Sequence, residues 1–395
     1  MNNLAFNPDM IINPKTEGIK YIGSKQKILP YILSIISQLN AKTVFDGFSG
    51  STRVSQALAK TGYQVISNDL SIFSKRFAQC YLLNKSTKTH YKEIITHLNN
   101  LNGYEGWFTE NYGGYENNKS AVQKDGKKRI WQIHNTKKLD AIRDEIDKIT
   151  NDEIEKSVLI SSLILALDKV DSTLGHQVSY LKNWSPRSYN YLTLEIPDLN
   201  IYDIDHEVFQ NDTLSITNSI ESDVAYFDPP YGSSNEKMPP SRVRYNSYYH
   251  IWTSICLNDK PKLFGAANRR EDSSDKVSGS LFEEFRRDEN GKFIVINALE
   301  KLIKTTKANY ILLSYSTQGR ATSKAIKEII ADLGYSVGVV QIDYKKNVMG
   351  GMSWTNDWTM DESNKLQELI FVISKIDKKI NIQNTKVKQL ELNMI

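Results

Sequence analysis

The sequence is short of the features that would indicate a membrane, a secretory route or a metal centre. Only two cysteines are present, Cys80 and Cys256, and two thiols so far apart form neither a disulfide framework nor a zinc site. The six histidines are scattered without a His-x-x-Glu-His spacing, so no metal is expected in a reaction. No apolar run approaches the roughly 18–20 residues that span a bilayer. The first residues lack the basic and apolar regions of a secretory signal, so we expect a cytoplasmic protein.

Two nucleotide-binding fingerprints are also missing. In FDGFSGST (residues 45–52), Gly47 and Gly50 are three positions apart, which is not the G-x-G-x-x-G order of dinucleotide sites. No lysine follows Gly50, so the phosphate-binding G-x-x-x-x-G-K-[ST] loop is absent as well. These absences disfavour NAD and ATP. They favour S-adenosylmethionine, because that cofactor has no phosphate and needs no full anion cradle.

The composition is that of a soluble globular protein, with 40% apolar and 24% charged residues. The 395 residues can form one large domain or two ordinary ones with a substantial core. The net charge of +4 is mild, so any basic surface would have to be local.

Strand, turn and helix signals alternate along much of the chain. Residues 41–70 contain the apolar run TVF, a Gly/Ser turn, an amphipathic helix and the strand YQVIS, which together predict a βαβ unit. Further strands are predicted at 224–227 and 308–317. Two late strands, YSVGVVQIDY (335–344) and ELIFVIS (368–374), suit the edge hairpin of a mixed sheet. Five or more strands alternating with helices predict an open α/β fold.

Two segments interrupt this alternation. Residues 85–205 are polar and rich in Tyr, Asn and Lys, with helical patches, and they are long enough for a mainly helical inserted subdomain. Residues 258–292 form a second, charged insertion that is short of core residues. The predicted sheet domain therefore comprises 15–84 and 206–375, and a polar tail follows at 376–395.

The Gly-rich turn and the acid that ends the next strand form the first candidate binding site. A turn that leads a strand into a helix lets backbone approach a ligand closely and directs helix N–H groups at it. Asp69 follows Gly47 by 22 positions, where a carboxylate can accept both hydroxyls of a ribose. The simpler alternative is a structural turn with Asp69 as the cap of the following helix. The two features together favour an adenosine-containing ligand.

The stretch KYIGSKQKILPYI (residues 20–32) is the second candidate. Tyr21 could stack on a ligand, and Lys25 could face a carboxylate such as the methionine end of the cofactor. Taken alone, the stretch favours the simpler interpretation, in which Tyr21 packs in the core and Lys25 is solvated.

The stretch VAYFDPPYGSS (residues 224–234) ends a buried strand in an acid, two prolines and a tyrosine. An exocyclic amine on adenine or cytosine is a poor nucleophile, because its lone pair is delocalised into the ring. The Asp228 carboxylate and the Pro229 carbonyl could accept its two hydrogens and localise that lone pair, which is electrostatic preorganisation. Tyr231 offers a flat face for the base. The simpler alternative is a strand that is ended by prolines in a turn.

In this order, the stretches resemble the Dam-like alpha group of DNA adenine-N6 methyltransferases. The resemblance rests on KYIGSK, FDGFSGS, SNDL, FQND, YFDPPY, ILLSYS and ELIFVIS, and it covers most of the chain outside 85–205 and 258–292. It implies a Rossmann-like S-adenosylmethionine-dependent methyltransferase sheet, with 85–205 as the target-recognition region. The implied reaction methylates the N6 amine of a flipped adenine in double-stranded DNA. A cognate restriction endonuclease would be a partner of such an enzyme.

The resemblance also implies roles for individual residues. Contacts with S-adenosylmethionine are implied for Tyr21, Lys25, Asp46, Gly47, Phe48, Gly50, Ser51, Asp69, Asp212 and Asp228. The target-amine site would comprise Asp228, Pro229, Pro230 and Tyr231. Basic and aromatic residues further along the chain are candidates for DNA contacts, namely Arg242, Arg244, Tyr245, Arg269 and Arg270. The sequence departs from the family around Ser51-Thr52, where the third glycine often found in the first motif is replaced.

Other functions stay open at this point. Cytosine-N4 methyltransferases usually begin the tetrapeptide with Ser, and protein-glutamine methyltransferases with Asn, so Asp228 favours adenine. RNA adenine methylation remains an alternative, because a flipped base looks alike in either polymer. A catalytically inactive DNA-binding relative is disfavoured by the intact Asp-Pro-Pro-Tyr. A dehydrogenase is disfavoured by the missing dinucleotide fingerprint.

Overall fold

The computed structural model describes residues 13–232, 244–274, 280–343 and 367–376. Arg242 and the tail after residue 376 lie outside these ranges. The strands are Thr43–Asp46 (β1), Gln64–Asn68 (β2), Gly113–Gly114 (β3), Trp131–Gln132 (β4), Glu207–Phe209 (β5), Val224–Phe227 (β6), Leu263–Phe264 (β7), Arg269–Arg270 (β8), Tyr310–Ser316 (β9), Ser336–Asp343 (β10) and Gln367–Ser374 (β11). The α-helices are Leu29–Ser37 (α1), Arg53–Lys60 (α2), Ile72–Ala78 (α3), Lys88–Asn100 (α4), Trp107–Tyr112 (α5), Ile133–Ile149 (α6), Glu153–Lys169 (α7), Thr213–Ile216 (α8), Tyr245–Tyr248 (α9), His250–Leu257 (α10), Ile294–Thr305 (α11) and Ser323–Asp332 (α12). Within the described ranges, no helix is both long enough and apolar enough to cross a membrane.

Seven strands form one sheet in the order β10-β11-β9-β6-β1-β2-β5. β11 runs antiparallel to both of its neighbours, and the other adjacent strands are parallel. The predicted α/β fold with a mixed sheet is confirmed, and the two late strands pair as predicted. Of these two strands, β10 lies at the edge and β11 does not, because β11 is inserted between β10 and β9. The continuous apolar runs of β1 and β6 fit central strands that are covered on both faces.

The strand order places a topological switch point between β1 and β6. From β1 the chain continues to β2 and β5 on one side, and from β6 it continues to β9 on the other. Ligands of open α/β sheets bind at such a point, outside the carboxyl ends of the strands. Because Val44 pairs with Val224 and Asp46 with Tyr226, the turn after β1 and the loop after β6 emerge side by side.

Helices cover both faces of the sheet with apolar side chains. On one face, Ile32 of α1 and Leu58 of α2 belong to the same buried cluster as Val224 of β6. On the other face, Leu299 of α11 belongs to the same buried cluster as Ala225. Successive side chains of a strand point to opposite faces, which is why neighbouring residues of β6 enter different clusters. This burial fixes the position at which β6 ends, and with it the position of Asp228.

Residues 85–205 contain the helices α4 to α7 and the two-residue strands β3 and β4. Their apolar side chains share one core with α3 and α10, since Leu139 and Leu163 lie in the same buried cluster as Phe77 and Trp252. The segment is therefore packed against the helices that border the sheet. Its role in target recognition stays a prediction.

The 258–292 segment contributes more buried side chains than its composition suggests. Phe282 is 1% exposed, and its ring packs edge-to-face on Phe48, with 5.1 Å between the ring centroids. Arg270 is also buried, because its guanidinium forms ion pairs with Asp259 at 2.7 Å and with Asp272 at 2.8 Å. The contact between Phe282 and Phe48 brings part of the insertion next to the Gly-rich turn, whereas both ion pairs of Arg270 lie within the insertion itself.

Candidate active site

A pocket of about 390 Å³ lies at the switch point of the sheet. Phe48, Asp69 and Asp228, which follow β1, β2 and β6 in the chain, all line it. Asp212, which follows β5, lines it as well. Residues predicted from four separate stretches of sequence are therefore brought to one cavity by the parallel order of the strands.

Tyrosine rings form one wall of this pocket. Tyr21 and Tyr249 are stacked, with 4.8 Å between their centroids and 17° between their planes. Tyr245 lies beside them, with its centroid 5.4 Å from that of Tyr21. All three line the pocket. Such a wall suits a planar ring or a cation, because aromatic faces attract both.

The two glycines of the turn after β1 are required by close packing. A Cβ atom on Gly47 would lie 2.6 Å from the Phe227 ring, which is closer than real Cβ atoms approach. Gly50 has a φ of +50°, and a Cβ there would lie 3.0 Å from the ring of Tyr21. The turn can therefore follow this path only with glycine at both positions, and its backbone comes close to the tyrosine wall.

Asp69 and Asp212 both line the pocket while bonding to nearby backbone. Asp69 accepts hydrogen bonds from the N–H groups of Gly50 and Ser71, each at 2.8 Å. Burial raises the pKa of Asp69, and these two hydrogen bonds act in the opposite direction. Asp212 caps α8 by accepting from the N–H of Leu214 at 2.8 Å. The cap expected as the simpler alternative for Asp69 is thus present in part, and it coexists with exposure to the pocket.

Asp46 and Ser51 are buried and do not appear among the described residues that line the pocket. Oδ2 of Asp46 accepts a hydrogen bond from the hydroxyl of Ser55 in α2 at 2.6 Å. Burial raises the pKa of Asp46 to about 7. The structure thus gives Asp46 a partner inside the β1–α2 unit, and its predicted contact with a cofactor remains a prediction.

Lys25 lies next to Asp228 in the loop after β6 and is absent from the described lining of the pocket. Its Nζ is 2.9 Å from Oδ1 of Asp228 and 3.3 Å from Oε1 of Glu368, and only 8% of its side chain is exposed. Lys25 is therefore not solvated, and its predicted contact with a cofactor carboxylate stays a prediction. The two buried carboxylates hold the pKa of Lys25 above its usual value, although burial acts in the opposite direction.

Tyr231 contacts the same two carboxylates as Lys25. Its hydroxyl lies 2.6 Å from Oδ1 of Asp228 and also contacts Oε1 of Glu368, which accepts a further hydrogen bond from Ser314 at 2.8 Å. The Tyr231 ring packs against Tyr315, with 4.8 Å between centroids. Asp228 and Pro230 line the pocket, whereas Pro229 and Tyr231 are absent from its described lining.

The charges around Asp228 compete in setting its pKa. Burial raises the pKa to about 6, the ammonium group of Lys25 lowers it, and the negative charge of Glu368 raises it. The balance leaves Asp228 mainly ionised at neutral pH. An ionised carboxylate at a pocket wall can accept hydrogen bonds from an amine that enters the pocket.

Two acidic residues of this site were missed in the sequence. Glu368 belongs to ELIFVIS, which was interpreted only as a strand, and the one available signal was an acid at the start of an apolar run. Glu283 lies in the charged stretch of the second insertion and lines the pocket, although it is only 4% exposed. Its one signal was the pair of acidic residues between apolar residues in LFEEF.

The predicted DNA contacts lie in different environments. Arg242 is outside the described residues, and Arg244 is only 3% exposed. Tyr245 lines the pocket and donates from its hydroxyl to the carbonyl of Ile22 at 3.0 Å. Arg269 is half-buried, with its guanidinium 4.6 Å from the centroid of the Phe264 ring. Arg270 is buried in the ion pairs described above.

Comparison with known proteins places these features in a family. A model of the D12 class of N6 adenine-specific DNA methyltransferases matches residues 21–329. Modification methylase StsI of Streptococcus sanguinis is 28% identical over 380 residues, which is 90% of this chain and 52% of the relative. Type II methyltransferase M.NlaIII of Neisseria lactamica is 27% identical over 337 residues, which is 83% of this chain and 92% of the relative. Type II methyltransferase M.FokI of Planomicrobium okeanokoites is 27% identical over 377 residues, 90% of this chain and 53% of the relative. The chain thus spans about half the length of two of these relatives and nearly all of the third.

Proposed function

The chain belongs to the D12 class of N6 adenine-specific DNA methyltransferases, and we propose that it methylates the N6 amine of adenine in double-stranded DNA. The methyl donor would be S-adenosylmethionine. The relatives are named as modification methylases and type II methyltransferases. We therefore propose a role in a restriction–modification system in the cytoplasm, with a cognate endonuclease as partner. The order of the motifs, with the Gly-rich turn before residues 85–205 and Asp-Pro-Pro-Tyr after them, supports the Dam-like alpha group.

The observation that carries this proposal is the shared pocket of Asp228, Asp69 and Asp212. Asp228 is the group proposed to act on the target amine, and the other two are the residues proposed to bind the donor. A methyl transfer needs donor and acceptor side by side, because alignment of the reacting atoms supplies much of the rate enhancement. One cavity that contains both sets of residues meets this requirement.

The residues of the pocket suit S-adenosylmethionine. Asp69 and Asp212 retain lone pairs for ribose hydroxyls and for an adenine amine, and the stacked Tyr21 and Tyr249 offer a flat apolar surface. The acidic lining also suits a ligand with a positive charge. The cofactor supplies a methyl group bound to a sulfonium, and no metal is needed for the transfer.

Asp228 and Pro229 would act directly on the target base. The Asp228 carboxylate and the Pro229 carbonyl accept the two hydrogens of the adenine amine, which draws the nitrogen towards tetrahedral geometry and localises its lone pair. The fixed φ angles of two consecutive prolines hold that carbonyl in place. Lys25 acts through Asp228, because its positive charge favours the ionised carboxylate.

The target base must leave the duplex to reach this pocket, at a cost of a few kcal/mol. We propose that residues 85–205 form the target-recognition region inserted in the catalytic domain (15–84 and 206–375). Arg242, Arg244 and Tyr245 are proposed to contact the strand near the flipped base. Arg269 is a further candidate, whereas a DNA contact by Arg270 would require it to leave Asp259 and Asp272.

The test is a methyl-transfer assay with purified full chain and S-adenosylmethionine labelled on the methyl group. Double-stranded DNA of varied sequence is the substrate, RNA is a parallel arm, and the product is digested to nucleosides. The proposal expects label in N6-methyl-2′-deoxyadenosine from DNA. Label in N4-methyl-2′-deoxycytidine would indicate cytosine methylation, and label only in N6-methyladenosine from RNA would indicate RNA methylation; either result would overturn the proposal.

A further inference from the structure

Glu283 is a buried carboxylate of the pocket that the proposed reaction does not use. It ends the short helical turn Leu281–Glu283 of the 258–292 insertion and lines the pocket beside Asp69 and Tyr245. Its exposed fraction is 4%. A carboxylate buried to this extent is normally paired or neutralised, because removing an isolated charge from water is costly.

Glu283 has less compensation for its burial than Asp228 and Asp69 have. Asp228 is paired with Lys25, and Asp69 accepts two backbone N–H groups. Asp212 accepts a single N–H, as Glu283 does, but it is less buried. Glu283 accepts one hydrogen bond, from the N–H of Tyr245 at 2.7 Å, and forms no ion pair with any residue in the described ranges. The described residues therefore compensate the charge of this deeply buried carboxylate only weakly.

The electrostatics of the site favour the binding of a cation beside Glu283. Burial raises the pKa of Glu283 to about 7, and the negative charge of Asp69 adds to this effect. The hydrogen bond from Tyr245 and the positive charge of Arg244 act in the opposite direction without restoring the ordinary value. A positive charge bound in the pocket would stabilise the ionised carboxylate further.

The turn that carries Glu283 is fixed in place. Phe282 packs edge-to-face on Phe48 of the Gly-rich turn, and its N–H donates to the hydroxyl of Ser280 at 3.3 Å. The turn also packs on α11. Glu283 is therefore held at the pocket wall, since its neighbour in the chain is anchored in the core.

We propose that Glu283 binds the positive charge of the methyl donor, and that the 258–292 insertion thereby completes the donor pocket. This inference rests on the proposed function. Two groups of S-adenosylmethionine carry a positive charge, the sulfonium and the α-ammonium. A contact with the sulfonium would favour the donor over the product S-adenosylhomocysteine, whose thioether is neutral. A contact with the α-ammonium would favour donor and product equally.

The test measures dissociation constants by calorimetry on the full chain. The ligands are S-adenosylmethionine, S-adenosylhomocysteine and sinefungin, which has an amine in place of the sulfonium. Glu283→Gln removes the charge and keeps both the shape and an acceptor for the N–H of Tyr245. Glu271→Gln is the matched control, because Glu271 lies in the same insertion, is exposed and does not line the pocket.

Glu283→Gln should weaken the binding of S-adenosylmethionine about tenfold or more, since hydrogen bonds to charged groups are the strong ones. If the sulfonium is the partner, S-adenosylhomocysteine binding stays unchanged, and if the α-ammonium is the partner, all three ligands weaken. Values within about twofold of the wild type for every ligand would overturn the inference. A wild type that binds none of the three would overturn the proposed function itself.

A second variant and a pH series test whether a loss of donor binding comes from the lost charge of Glu283 or from a folding defect. Glu283→Asp keeps the charge on a shorter side chain and should bind the donor more tightly than Glu283→Gln does. Wild-type affinity for the donor should rise between about pH 6 and about pH 8, as Glu283 ionises beside Asp69 and Arg244. The same rise in Glu283→Gln would assign it to another group and contradict the inference.

Discussion

The ammonium nitrogen of Lys25 lies 2.9 Å from Oδ1 of Asp228, and both side chains are largely buried. The ion pair joins the segment before α1 to the loop after β6, more than half of the chain apart. Glu368 of β11 shares the same lysine at 3.3 Å. One ammonium group therefore lies between two carboxylates, and changing Lys25 or Glu368 should alter the ionisation of Asp228.

Asp228→Asn should abolish most methyl transfer and leave donor binding in place. The amide keeps the shape of the side chain but loses the charge that polarises the target amine, so we expect the rate to fall about a hundredfold or more. Single-turnover kinetics with labelled donor measure the rate, and calorimetry measures binding. Asp205→Asn, at an exposed position, is the matched control. An Asn variant with the wild-type rate would remove Asp228 from the catalytic site.

The methyl-transfer rate should fall as the pH is lowered through about 6, because Asp228 acts as the ionised carboxylate and its pKa is raised to about 6. Above that pH the group is ionised and the rate should level off. The pH dependence of single-turnover rates tests this. A rate that stays constant down to about pH 4.5 would indicate a carboxyl with an ordinary pKa, in contradiction to the burial of Asp228.

In Lys25→Met, the fall in methyl-transfer rate at low pH should begin at a higher pH than in the wild type. The variant removes the positive charge that lowers the pKa of Asp228 and leaves two buried carboxylates together. Breaking a buried pair in this way should also lower the free energy of unfolding by about 3–5 kcal/mol. Rate profiles and urea denaturation measure the two effects. Lys92→Met, on the exposed side of α4, should change neither.

In Glu368→Gln, the fall in methyl-transfer rate at low pH should begin at a lower pH than in the wild type. The negative charge of Glu368 raises the pKa of Asp228, so its removal should extend activity to lower pH. The amide can still accept the hydrogen bond from Ser314. Comparing this profile with that of Lys25→Met is decisive, because a merely structural role would reduce both rates without opposite shifts.

Gly47→Ala should destabilise the protein and weaken donor binding together. The added Cβ would lie 2.6 Å from the Phe227 ring, so the turn must move away from β6. Overpacking of this kind costs about 1–3 kcal/mol in the free energy of unfolding. Urea denaturation and calorimetry check both effects. A variant with wild-type stability would show that the turn can adjust.

Much of the sheet could be predicted from the sequence, because its pattern is local. The run VAYF is buried on both faces in β6, and the helices α6 and α7 follow the helical patches expected for them. The Gly-rich turn, Asp69 and Asp228 each follow a predicted strand, and they share one pocket because parallel strands end at the same edge of a sheet.

The partners of Lys25 could not be predicted, because they depend on long-range packing. Glu368 contacts Tyr231 across 137 positions of sequence, and only the insertion of β11 next to β9 brings it there. Glu283 was missed for a related reason, since a charged stretch usually indicates a solvated surface. Its burial depends on the anchoring of Phe282 against Phe48.

The most direct test of the account is single-molecule sequencing of DNA from a methylation-free host that expresses the chain, with Asp228→Ala expressed in parallel. The account predicts N6-methyladenine at one short sequence motif, and its complete loss in the variant. Unmodified DNA in cells whose wild-type protein is folded and binds S-adenosylmethionine would contradict it.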